Sequence, residues 1–131
     1  MMLRATLAFI LAVTAFFTAD ISVAQQVQRQ FPKNALRGSI VVGDPPTVAL
    51  NGRETRFAPG ARIRNPSNMI VLSGGLVGAK LLVHYTLDSM SQLGDVWILT
   101  PEEAAKRPWP ATQEQAETWL FDASTQTWSR P

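Results

Sequence analysis

The sequence predicts an all-β fold, a small barrel of five to six strands, from three observations. Between Leu36 and Thr100 short apolar runs alternate with polar residues at period two. Turn signals built from Gly, Pro and Asn separate these runs at short intervals, and no segment there carries a long helical period. Around this core the chain divides into a cleaved signal peptide over residues 1–24, a flexible lead-in over 25–35, the barrel over 36–100, and a C-terminal extension over 101–131. The extension reads as a short helix followed by a Trp-rich tail.

The leader "MMLRATLAFILAVTAFFTADISVAQQ" has a basic start at Arg4, an apolar run from Ala5 to Ala19 and a polar break at Asp20. Ser22 and Ala24 occupy the small-residue positions before a cut at Gln25, the layout of a secretory signal. Its apolar run is shorter than the roughly 20 residues of a spanning helix, so the expectation is a periplasmic or secreted protein with no stable membrane insertion after cleavage. The chain has no cysteine. That excludes disulfides, thiolate nucleophiles and Cys-ligated metals, and leaves packing to hold the fold. The mature length suits one domain.

Formal net charge is only +2, which gives no general affinity for nucleic acid. Its distribution is uneven. Gln25 to Arg64 carries a surplus of arginine and lysine, whereas the chain from Asn65 onward is net acidic. The front half therefore offers a local site for an anionic partner.

In order along the barrel, "LRGSIVV" places Leu36, Ile40 and Val42 on one side and Arg37 and Ser39 on the other. "GDPP" breaks this strand. In "TVALNGRETRF" the pair Asn51-Gly52 supplies the positive φ angles of a two-residue hairpin turn, so Leu50 faces Arg53 and Val48 faces Thr55. Val48, Leu50 and Phe57 then share the inner face, and Glu54 and Arg56 the outer. A turn is expected at Pro59-Gly60, followed by a short strand with Ile63 inward and Arg62 and Arg64 outward. "MIVLSGGLVG" is a short apolar run ending in a glycine-rich bend. "KLLVHYTLD" and "LGDVWIL" are two further strands joined around Ser89 to Gly94.

The succession "GSIVV … TVALNG … FAPGARI … LVGAKLLV … LGDVWIL", from Arg37 to Leu99, resembles the small OB-like barrel of uncharacterised bacterial exported proteins. The shared motifs are glycines at bends and aliphatics at core positions. The resemblance implies an OB-like fold and no activity, since fold alone does not fix function.

His84 is the only histidine. Alternation puts Leu81, Val83, Tyr85 and Leu87 on the core face, so His84 is expected to point outward with Lys80 and Thr86. Asp88 stands four residues along the same strand, about 13 Å away, too far to pair with it. Asp95 reaches His84 only if the hairpin register allows. No nucleophile elbow and no second histidine accompany it, so a surface or strand-pairing histidine is the plainer reading, and a small hydrolase using His84 with Asp88 or Asp95 is the rival one. "SGGLVG" lacks the ending and helix of a phosphate loop and reads as a bend. Asp44, Asp88 and Asp95 sit where turns favour aspartate.

Arg56, Arg62 and Arg64 point outward on neighbouring strands, and guanidinium groups so grouped bind carboxylate or phosphate bidentately. Exposed charge on strand edges also keeps a barrel soluble. Few aromatics interleave with these arginines, which argues against nucleobase stacking.

In the extension, "TPEEAAKRP" has Thr100 as N-cap, Pro101 in the first turn and Glu103 at the capping-box position. "TWLFDASTQTW" reads as a hairpin with its turn at Asp122 to Thr125. Trp109, Trp119 and Trp128 either pack on the barrel or form a protein-contact surface, because leaving them in water costs about 25 cal/mol per Å² of apolar surface. The sequence thus points to a non-enzymatic binding or interaction module without cofactor or metal, contacting an anionic glycan or a protein of the envelope. A structural subunit of an envelope assembly is the further alternative.

Overall fold

A computed structural model describes residues 28–131; the expected signal peptide and the start of the lead-in lie outside the described residues. The alternating segments form strands β1 (Leu36–Val42), β2 (Thr47–Leu50), β3 (Arg53–Arg64), β4 (Ile70–Val71), β5 (Lys80–Leu87) and β6 (Leu93–Ile98). They order as β2-β1-β5-β6-β3-β4, and a further β2–β3 pairing closes the sheet on itself. The result is a closed five-stranded barrel with the two-residue β4 on its edge, consistent with a small OB-like fold. All its ladders are antiparallel except β3 with β6.

The register follows from the local chemistry. Asn51 and Gly52 adopt φ of 51° and 82°, and the turn pairs Leu50 with Arg53 and Val48 with Thr55. Asn51 also accepts a hydrogen bond from the Ser39 N–H at 2.9 Å, which ties the turn to β1. Leu36, Ile40, Val42, Val48, Phe57, Ile63, Val83 and Val96 fill the barrel interior.

At Pro59-Gly60 the expectation needs correcting. No turn separates two strands there: β3 runs through from Arg53 to Arg64. The register against β6 slips between Phe57 and Arg62, and Gly60 takes φ of 77°. Proline lacks the N–H of a regular ladder and glycine accepts the positive φ, so the pair bends a strand at an irregularity instead of ending it.

The C-terminal extension forms α1 (Pro101–Ala105), α2 (Gln113–Thr118) and the hairpin β7 (Leu120–Asp122) with β8 (Thr127–Ser129). Thr100 and Glu103 make the reciprocal capping box of α1. Helix α2 was not evident in the sequence; Thr112 caps it through the Gln115 N–H, and Ala116 is its only buried residue. These elements cover the outer face of the barrel and build an aromatic layer there. Trp109 lies edge-on to Phe31 at 5.9 Å and to Trp128 at 6.0 Å, and Phe121 stacks on Trp128 at 4.7 Å. The lead-in joins the same layer: Phe31 is buried, and its N–H donates to the buried Gln126 side chain at 2.9 Å.

Candidate functional site

His84 lies under this aromatic layer, not on the surface. It is fully buried, which corrects the expectation of exposure. The period-two reading placed its side chain outside the barrel correctly. It did not foresee that sequence-distant residues cover that face, so that Val83, His84, Tyr85 and Thr86 are all buried on one strand. Trp109 stacks on the imidazole at 4.0 Å and Phe31 meets it edge-on at 4.4 Å. Arg37, its direct cross-strand partner, donates to Nε2 from Nε and Nη2 at 3.2 and 3.1 Å. The accepting nitrogen requires the neutral ring. Burial first, then the nearby Arg37 and Arg29 charges, lowers the imidazole pKa to about 2. Nδ1 is buried and has no hydrogen-bond partner.

Neither aspartate of the hydrolase reading joins His84. Asp88 closes its own turn, accepting from the Met90 and Gln92 N–H groups at 2.9 Å each. Asp95 faces the arginines of β3. A general base needs a proton-accepting nitrogen free to meet substrate, and here Nε2 is engaged by Arg37. Among the described residues no group of three or more His, Asp or Glu stands together in a way that would hold a metal ion.

Two arginines fasten α1 to the barrel. Arg29 donates to both carboxylate oxygens of Glu103 and to the carbonyls of Asn65 and Ile98. Arg37 donates to the carbonyls of Glu103, Ala104 and Lys106. Burial opposes charge on Glu103, but the hydrogen bonds from Arg29 and Thr100 outweigh it and hold the carboxyl below its ordinary pKa.

Beside this fastening a cleft of about 1010 Å³ opens between the barrel, α1 and the lead-in. Arg62 and Arg64 reach it from β3 and Asp95 from β6, where the parallel register sets Arg62 opposite Asp95. Arg62 Nε and Arg64 Nη1 approach the same oxygen, Asp95 Oδ1, at 3.3 and 3.4 Å. Both distances exceed the roughly 2.7–2.9 Å of a tight charged hydrogen bond. The Arg62 side chain is 60% exposed, while the Arg64 guanidinium lies over Trp97 at 5.8 Å. Arg56 is exposed elsewhere on β3, opposite Thr47, and does not line the cleft. The structure therefore brings two of the three expected arginines together.

Of the three tryptophans, Trp109 and Trp128 are buried in the aromatic layer, and Trp109 Nε1 donates to the Ala35 carbonyl at 3.0 Å. Trp119 is half-buried beneath the Arg130 guanidinium, 5.2 Å from its ring. Lys106, Glu102 and Glu103 complete the charged lining of the cleft, a contribution of α1 that the sequence reading assigned only to capping.

Fold and site together define a small closed β-barrel with an arginine-bearing cleft roofed by its own C-terminal extension. Compared with protein-family models, curated proteins and solved structures, the chain matches none. No helix among the described residues is long and apolar enough to cross a membrane.

Proposed function

We propose that the protein is an exported, non-enzymatic binding module that holds an anionic group of its ligand against Arg62 and Arg64. The observation that carries this reading is the shared carboxylate: two guanidinium groups at the mouth of a large cleft have one oxygen of Asp95 between them. Arg62 meets Asp95 through Nε and its side chain is 60% exposed, which leaves its terminal donors facing solvent for a ligand. The leader in the sequence supports export, which places anionic glycans of the envelope among the ligands within reach. The test is calorimetric titration with an oligogalacturonate and with an uncharged oligosaccharide of equal length, at low and high salt. Binding of the acidic oligosaccharide alone, weakened by salt and by at least about tenfold on replacing both arginines with glutamine, is the expected result.

A second reading draws on a different surface. Met69, Ile70, Leu72 and Val77 are exposed around the edge strand β4, a grouping of apolar side chains of the kind that marks protein contacts. It favours a subunit of an assembly, tested by cross-linking in the native envelope with a photoreactive residue at position 72.

A further inference from the structure

Asp95 stands where a ligand anion would stand. One carboxylate between two guanidiniums leaves the trio with one net positive charge. The lining as a whole keeps that balance: Arg29, Arg62, Arg64 and Lys106 oppose Asp95, Glu102 and Glu103, with His84 neutral. Asp95 is held in place from its own backbone, since its N–H donates to Thr86 Oγ1 at 3.0 Å and Thr86 is itself buried. An anion arriving at Arg62 and Arg64 therefore meets two attractive charges and one repulsive one at close range.

Building on the anion-binding reading above, we infer that Asp95 tempers the cleft's attraction for doubly charged anions. It penalises a doubly charged group, such as a phosphate monoester, more than a singly charged one, such as a carboxylate or a phosphodiester. Each negative charge of the ligand meets the Asp95 carboxylate, so the penalty grows with the ligand's charge. The Coulomb interaction of two charges about 4 Å apart, even fully screened by water, corresponds to about fivefold in affinity per ligand charge. Asp95→Asn keeps the side-chain shape and removes the repulsion. It should raise affinity for a monoanion about fivefold and for a dianion about 25-fold.

The test uses two probes of one chemistry at pH 8, dimethyl phosphate with one negative charge and methyl phosphate with two. Each is titrated at low ionic strength while the Arg62 and Arg64 Nε–Hε resonances are followed. Asp95→Asn should shift the ratio of the two affinities about fivefold towards methyl phosphate relative to the wild-type protein. An unchanged ratio in Asp95→Asn overturns the inference and leaves the arginine pair standing as an anion site. Silence of both arginine resonances towards both probes, in both proteins, overturns the inference together with the reading beneath it. Arg62→Gln, an exposed position outside the core, should weaken both probes.

Discussion

Arg37 and His84 face each other directly across the β1–β5 ladder, and the guanidinium donates to the imidazole rather than to a carboxylate. A cation sits against a histidine that must remain neutral, beneath Trp109. This relationship couples the barrel to its roof, because the same guanidinium binds three carbonyls at the end of α1.

The first consequence is acid sensitivity. Unfolded His84 titrates near 6.5, whereas in the folded protein its pKa lies at about 2. Between those values the unfolded chain takes up a proton that the native state refuses. Stability is therefore full above pH 6.5 and falls as the pH drops towards 2, by about 1.4 kcal/mol per unit. From pH 7 to pH 5 the loss should be about 2 kcal/mol, and His84→Gln should abolish most of that slope. Urea unfolding at the two pH values measures it. The depressed Glu103 carboxyl adds a loss of the same sign, but only below its ordinary value of 4.5.

The Arg29–Glu103 pair is nearly buried on both sides. Removing one partner leaves the other charged and uncompensated, so Arg29→Met or Glu103→Gln should each cost about 3–5 kcal/mol. The double replacement should cost clearly less than the sum. A double-mutant cycle by chemical denaturation reads the coupling.

Trp109 roofs His84 and fills the centre of the aromatic layer. Trp109→Ala should destabilise the protein by about 3–5 kcal/mol. In whatever fraction stays folded, water reaches the imidazole and its pKa moves up towards 6.5. The histidine ring proton shifts, followed by NMR against pH, report that movement.

Gly38 tests the packing of the hairpin turn. A Cβ there would lie 2.9 Å from Tyr85 Cε1 and 3.0 Å from Asn51 Oδ1. Gly38→Ala forces apart the two side chains that lock β1 to the turn and β5, and should lower stability by about 1–3 kcal/mol in thermal or urea unfolding.

The barrel was legible because its signals are local. Alternation in "LRGSIVV" and the Asn-Gly turn set the inner residues and one register without help from distant sequence, and the outward positions of Arg62 and Arg64 follow from Ile63 pointing in. His84 was misplaced for the opposite reason. Its exposure depends on Trp109 and Phe31, which lie on the C-terminal and N-terminal sides of the barrel segment, and alternation cannot say whether an outer face is covered. Leu82, two residues from His84 on that face, and three tryptophans needing shelter were the available hints. The cleft was illegible as a whole, since its wall combines β3, β6, α1 and the lead-in. Only the fold makes Arg62 and Asp95 neighbours, through the one parallel ladder in the barrel.

The most direct measurement of the central claim is calorimetric titration of oligogalacturonate into the wild-type protein and into the Arg62→Gln/Arg64→Gln variant at low salt. The account predicts saturable binding to the first and a loss of at least about tenfold in the second. Equal affinity for both proteins would contradict the assignment of Arg62 and Arg64 as the anion contacts.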